Sequence, residues 1–179
     1  MISLLRLSLL VLIAALIAVP APARAQIDSG THTDIKAAFL LSFAKFTEWH
    51  SLAPATSLVM CVVGDQRVAN ALAEAVRGQR VRDRSLQVQG VDSDGILKSC
   101  NLLFISTSII QNAGPLLATL KRLPILTVSD SQGFAQSSGI IELYVEAGRM
   151  RFAVNPGAGS RAGLGLSSRV LNLARIVGN

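Results

Sequence analysis

The feature of this sequence that most constrains its fold is the unbroken apolar run Leu58–Val63, which ends in Gly64. A run of this length is too short for a helix, and a closing glycine is typical of a strand that is buried on both faces. Residues 101–106 and 125–128 form two further runs of the same kind. The sequence therefore predicts a mostly parallel central sheet with packed layers on both sides.

Residues 1–25 are typical of a secretory signal peptide. A positive start at Arg6 and an apolar segment at residues 9–19 precede a small-residue cleavage site at residues 23–25. The apolar segment is shorter than the roughly 20 residues that span a bilayer, so a retained membrane anchor is the less favoured alternative. We therefore expect a periplasmic mature protein. Its formal charge would fall from +6 to +4, because cleavage removes Arg6 and Arg24.

The only two cysteines of the chain fall on the first two apolar runs, Cys61 inside one and Cys100 at the start of the other. In an exported protein two cysteines normally pair, and neighbouring strands can bring their Cα atoms to the required separation of about 4.4–6.8 Å. Such a bond would close a loop of about 40 residues and stabilise the fold by about 4 kcal/mol. The alternative is two buried free thiols that act as small apolar groups.

After a polar tether at residues 26–33, the pattern predicts a single layered α/β domain at residues 34–177. Residues 34–46 predict a helix capped by Thr33 or Asp34, with one aromatic face. Further helices are expected at residues 68–76 and 108–120, and a strand with one wet face at residues 86–91.

The sequence pattern changes in the last third of the chain. Residues 139–146 and 149–155 are extended runs joined by Ala147 and Gly148, which predicts a β-hairpin. The glycine-rich residues 156–163 predict a flexible turn, and residues 164–177 predict a closing helix. The expected fold is thus a mostly parallel central sheet with a C-terminal β-hairpin and flanking helices.

Tests for catalytic, cofactor and metal sites give no candidate residues. Residues 157–162 satisfy a loose dinucleotide pattern, but a second parallel strand and an acidic residue about 20 positions later do not follow. His32 and His50 are not at metal-ligand spacing. The arginines between residues 77 and 84 have no aromatic neighbours to stack on bases, so we expect no nucleic-acid binding. A solvated loop that leads into an edge strand accounts for these arginines.

Several blocks, in this order, resemble the YfiR family of periplasmic proteins. They are residues 35–49, Met60–Gly64, Cys100–Ser106, residues 126–130 with Gly133 and Phe134, Gly139, Arg151–Asn155, and residues 162–174. The resemblance implies a non-catalytic repressor that binds the periplasmic sensor domain of an inner-membrane diguanylate cyclase and lowers cyclic-di-GMP synthesis. It also implies that an outer-membrane lipoprotein can sequester the repressor, and that Cys61 and Cys100 form the redox-sensitive pair of the family. We expect a homodimer.

Arginine and aromatic residues are enriched at interface centres, so we expect the partner surface to include Tyr144, Arg151, Leu164 and Arg175. The alternative is that Tyr144 and Leu164 are core residues and that both arginines are merely solvated. A second functional hypothesis is a periplasmic small-molecule sensor, whose ligand would lie near the strand ends after Gly64 and Ser106. A hydrolase whose site is assembled from distant residues is the third and least favoured hypothesis.

Overall fold

The computed structural model describes residues 29–53, 56–90, 99–120, 123–137 and 139–178. The predicted signal peptide lies outside these residues, and so do the predicted turn at residues 92–98 and the pair Lys121 and Arg122. The first helix begins at Ser29. The predicted cap at Thr33 or Asp34 is therefore wrong, and residues 29–33 belong to the helix and not to a tether.

The fold class predicted from the sequence is confirmed. The helices are α1 (Ser29–Lys45), α2 (Gln66–Ala75), α3 (Gly114–Leu120), α4 (Phe134–Ser137), α5 (Pro156–Arg161) and α6 (Ser168–Leu173), with a 3-10 turn at Ile110–Asn112. The strands are β1 (Thr47–Trp49), β2 (Leu58–Val63), β3 (Arg80–Val81), β4 (Arg84–Gly90), β5 (Leu102–Ile105), β6 (Leu126–Ser129), β7 (Ile141–Glu146), β8 (Arg149–Val154), β9 (Leu164–Leu166) and β10 (Arg175–Ile176).

Eight of these strands form one sheet in the order β10-β8-β7-β6-β5-β2-β4-β3, while β1 and β9 form a separate antiparallel pair. Strands β4, β2, β5, β6 and β7 are mutually parallel. They are flanked by the antiparallel strands β3 and β8, and β10 pairs in parallel with β8 at one edge. Short parallel strands that are covered on both faces need continuous apolar runs, which is why β2, β5 and β6 could be recognised in the sequence.

One face of the sheet packs against α1 and α2. Phe43 of α1 is buried, and its ring lies 5.1 Å from that of Phe152 on β8, with Phe39 in contact with both. The α2 helix buries Val68 and Leu72 in the same core. Its N-terminus is capped by Asp65, whose carboxylate accepts the N–H groups of residues 67 and 68. The aromatic stripe of α1 is thus core, as the sequence predicted.

The hairpin of β7 and β8 is confirmed. Ala147 and Gly148 both have positive φ, 48° and 72°, which is the backbone that a two-residue hairpin turn requires. The resulting register pairs Tyr144 with Arg151.

The end of the chain differs from the prediction. Residues 156–161 form a helix, α5, because Asn155 caps its start by accepting the N–H of Ala158, and Pro156 suits the first turn. The predicted helix at residues 164–177 is wrong. It is divided into β9, α6 and β10, and Ala174 takes an extended conformation that ends α6 before Arg175.

The other face of the sheet holds a second core, and the disulfide lies in it. Cys61 on β2 and Cys100, just before β5, are bonded, with their Cα atoms 5.8 Å apart. Both are buried beside Leu103 and Leu120. The bond cross-links two adjacent central strands, so the pairing of these cysteines is confirmed and the alternative of two free thiols is wrong.

We expect the Cys61→Ala/Cys100→Ala double variant to be less stable than the wild type by about 2–4 kcal/mol, because closing a loop of this length restricts the unfolded chain. Urea unfolding of both proteins measures the difference, and the wild type in reducing buffer provides a second comparison. Equal unfolding midpoints for oxidised wild type and double variant would contradict a stabilising role for the bond.

Candidate functional site

The hairpin and β10 bring three of the four predicted partner residues together. Tyr144 and Arg151 are opposite each other on β7 and β8, and the guanidinium carbon of Arg175 lies 4.2 Å from the centre of the Tyr144 ring. The pairing of Arg175 with Ala153 places the arginine on the same sheet face as Tyr144 and Arg151. An arginine stacked on a tyrosine in this way gains a cation–π contact and keeps its planar donors exposed.

This part of the sheet is open to solvent. We call it the arginine face and define it as Tyr144, Glu146, Arg149, Arg151 and Arg175. Alternation along β7 and β8 places the first four on one side, and the pairing of Arg175 with Ala153 places it there too. All are exposed except Tyr144, which is half-buried. Three arginines and one glutamate give it a positive charge.

The helix α4 covers the part of the sheet next to the arginine face. Glu142 lies on the same side of β7 as Tyr144, two residues earlier, and is only 2% exposed. Its carboxylate accepts the N–H of Ala135, a residue of α4. Glu142 is thus covered, so Glu146 is the acidic side chain on this side of β7 that solvent reaches, and three arginines outnumber it.

The opposite side of the same sheet edge carries apolar residues. Val145, Leu173 and Ile176 are 52%, 75% and 52% exposed, and they are the large hydrophobic side chains most open to solvent in the part of the chain that the structure describes. The edge of β10 therefore presents cations on one side and apolar area on the other.

Leu164, the fourth predicted partner residue, does not belong to this surface. It is 5% exposed and pairs with Trp49 between β9 and β1. The prediction was wrong because residue 164 lies in a strand that packs on the first core, not on the exposed side of a terminal helix.

A crevice lies at the carboxyl ends of the parallel strands, near the positions expected for a ligand. It has a volume of about 520 Å³. Its lining residues are Lys36, Gly64, Asp65, Gln66, Arg67, Ser106, Thr107, Ser108 and Asp130. Gly64 has φ +85°, and a Cβ atom there would lie 2.9 Å from Ile109, so the turn that forms one wall requires glycine.

Two of the arginines between residues 77 and 84 form hydrogen bonds to backbone carbonyl oxygens, which the prediction of a solvated loop did not include. Arg84 donates to the carbonyl oxygens of Leu52, Ala53 and Thr56, and Arg80 donates to the carbonyl of Asp83. These contacts fix the connection between β1 and β2 and the turn between β3 and β4. Sequence reasoning missed this role because the acceptors are backbone carbonyls, which leave no pattern in the side chains.

Arg82 joins the two-stranded sheet to the large one. Its guanidinium donates to Glu48 Oε1 at 2.5 Å. This hydrogen bond, assisted by the charge of Arg82, lowers the pKa of Glu48 from its usual value of 4.5, and the charge of His50 lowers it further.

The residues tested for metal and dinucleotide binding give no site. Within the described ranges, no group of three or more His, Cys, Asp or Glu side chains could hold a metal ion. The glycine-rich residues 157–162 are largely taken up by α5, and Gly159 is buried, with the space for a Cβ atom limited by Leu166 at 3.3 Å. Gly159 therefore serves the packing of α5 on β9.

A family model matches residues 33–175, which include nearly all of α1 and reach the first residue of β10. The chain belongs to the YfiR/HmsC-like family. This membership suggests a periplasmic regulator of diguanylate cyclase signalling, a role of the regulatory and not the catalytic kind. No curated protein matches the sequence. In the residues that the structure describes, no helix is both long enough and apolar enough to cross a membrane.

We expect the Arg82→Gln variant to raise the pKa of Glu48 towards 4.5, because the main cause of its lowered value is removed. The pKa of Glu48 is therefore lower in the folded protein than in the unfolded chain. The ion pair therefore stabilises the fold above pH 4.5 and loses this effect as the pH falls through the folded pKa. An NMR titration of the Glu48 carboxyl group measures the shift. Arg77→Gln, which removes an exposed arginine outside the turn that carries Arg82, is the matched control. An unchanged Glu48 pKa in Arg82→Gln would contradict the assignment.

Proposed function

We propose that this protein is a periplasmic, non-catalytic repressor that binds the periplasmic sensor domain of an inner-membrane diguanylate cyclase and lowers cyclic-di-GMP synthesis. The observation that carries the proposal is membership of the YfiR/HmsC-like family over residues 33–175. A bound repressor can shift a two-state sensor towards its inactive form only by binding that form more tightly. The proposal therefore needs a surface that can distinguish two conformations of a partner.

The arginine face is the surface that we assign to this contact, with Tyr144, Arg151 and Arg175 at its centre. The stacking of Arg175 on Tyr144 holds both side chains before the partner arrives, which reduces the entropy lost on binding. The excess of arginine on this face favours an acidic surface on the sensor domain. The exposed Val145, Leu173 and Ile176 around the same edge add apolar contact area.

Several further features belong to the same proposal. The protein is exported with a signal peptide at residues 1–25, acts as a homodimer, and is sequestered by an outer-membrane lipoprotein that releases the cyclase. In an oxidising compartment the Cys61–Cys100 bond remains closed, so the repressor keeps its stability where it acts.

Deletion of the gene is expected to raise intracellular cyclic-di-GMP, and re-expression of the wild type is expected to lower it again. The Arg151→Glu variant should fail to restore the low level and should weaken capture of the sensor domain by tenfold or more, because it places a negative charge in the centre of the arginine face. Quantification of the nucleotide by mass spectrometry, together with pull-down of the membrane cyclase, provides both measurements.

Arg77→Glu is the matched control for this experiment. Arg77 is 76% exposed at the end of α2, near the opposite edge of the sheet, and its reversal should restore repression as the wild type does. Unchanged cyclic-di-GMP in the deletion strain, with no cyclase captured, would reject the repressor function. Normal repression by Arg151→Glu would reject the arginine face as the contact surface.

Export is tested separately. We expect the protein recovered from the periplasmic fraction to begin at Gln26, because the small residues before it suit signal peptidase. Intact-mass measurement identifies the N-terminus. Recovery of the full-length chain in the membrane fraction would contradict cleavage.

A further inference from the structure

The crevice at the carboxyl ends of the strands has a topological cause. The order of the five parallel strands reverses beside β2, because β4 lies on one side of it and β5 on the other. The chain after β2 passes into α2, which packs in the first core, whereas the chain after β5 passes into α3, which packs in the second. The two connections leave the sheet in opposite directions and open a crevice between them, which is where open α/β sheets bind ligands.

The crevice has the size of a ligand site but an unusual lining. Its volume of about 520 Å³ lies within the range of roughly 300–1,000 Å³ found for small-molecule sites. Those sites are mostly apolar, whereas the residues lining this one are charged or polar apart from Gly64. This composition favours a hydrophilic occupant.

The two carboxylates in the crevice are held by donors of the protein itself. Asp65 accepts the backbone N–H groups of Arg67 and Val68, at 3.0 and 3.3 Å. Asp130 accepts the backbone N–H of Thr107 at 2.7 Å and the ammonium group of Lys36 at 2.5 Å. Their side chains are 14% and 13% exposed and that of Lys36 is 18% exposed, whereas that of Arg67 is 72% exposed, so Arg67 supplies most of the accessible charge of the crevice.

The two cations keep donors for a further partner. The ammonium group of Lys36 has three N–H donors, and Asp130 is its one hydrogen-bond acceptor among the described residues. The side chain of Arg67 is 72% exposed, and only its Nε approaches Asp65, at 3.6 Å. Thr107 and Ser108 are exposed and add hydroxyl oxygens to the lining, and Ser108 Oγ, which donates to the carbonyl of Gly64, remains an acceptor. The accessible donors of the crevice are thus cationic or hydroxylic.

We propose that this crevice binds a small hydrophilic organic anion, whose carboxylate or phosphate group contacts Lys36 and Arg67 and whose polar body contacts Thr107 and Ser108. The arginine supplies a planar fork of donors and the lysine a point charge, and both suit an oxyanion. This site is separate from the arginine face, so it gives the protein a ligand input in addition to a partner contact.

Isothermal titration calorimetry tests the site, with protein purified from the periplasm after expression of the full-length gene. The probes are inorganic phosphate and succinate in low-salt buffer. We expect saturable binding of at least one probe, with phosphate binding alone indicating a phosphorylated ligand and succinate binding alone a carboxylic acid. Lys36→Met and Arg67→Gln should each weaken binding tenfold or more.

Each of the two substitutions has a control that removes a charge of the same kind outside the crevice. Lys45→Met removes a charge from the exposed end of the same helix, and Arg77→Gln removes an equally exposed arginine at the end of α2. Both should bind as the wild type does. Arg67 is exposed, so its substitution is not expected to destabilise the fold. If Lys36→Met does destabilise the fold, the affinity of Arg67→Gln decides whether the site binds the probe. Absence of saturable binding of both probes, or wild-type affinity in Arg67→Gln, would overturn the proposal, whereas loss of cyclase repression would not bear on it.

Discussion

The structure depends on the burial of β2 on both of its faces. Met60 and Val62 point into the core beneath α1 and α2, while Cys61 and Val63 point into the core on the other side. Each residue of the strand therefore contributes to one layer or the other, and a shift of register by one residue would exchange the two sets. The disulfide from Cys61 to Cys100 resists such a shift, because it joins β2 to the chain that enters β5.

The central position of β2 also separates the two candidate sites. The crevice lies at the carboxyl end of β2, where the strand order reverses, and the arginine face begins three strands away at β7 and continues over β8 and β10. With about 4.8 Å between neighbouring strands, β2 and β8 are about 20 Å apart. A small anion in the crevice and a protein on the arginine face can therefore be bound at the same time.

How much of this fold the sequence predicts depends on the range of the interactions that form each element. Strands β2 and β5 carry their own signal in unbroken apolar runs, β6 carries a similar signal interrupted by Thr127, and the hairpin carries its signal in Ala147 and Gly148. Strand β9 has no such signal, because its conformation depends on pairing with β1, more than a hundred residues earlier. Gly165 permits that approach, since a Cβ atom there would lie 3.1 Å from the His50 side chain and 3.3 Å from that of Glu48. The helical spacing of Val170 and Leu173 was therefore misleading for the residues before and after α6.

Helix α1 connects the two candidate sites through the core. Lys36, near the middle of the helix, forms part of the crevice, and Phe39 and Phe43 pack edge-on against Phe152, which lies next to Arg151 on β8. Interlocked rings of this kind do not deform continuously, because close-packed interiors change between discrete arrangements. A ligand that alters the position of Lys36 can therefore affect the arginine face only if the Phe39, Phe43 and Phe152 cluster has a second arrangement of similar energy. Without one, the same cluster keeps the two sites energetically independent, and the rigidity that favours specific contact with a partner also isolates that contact from the crevice.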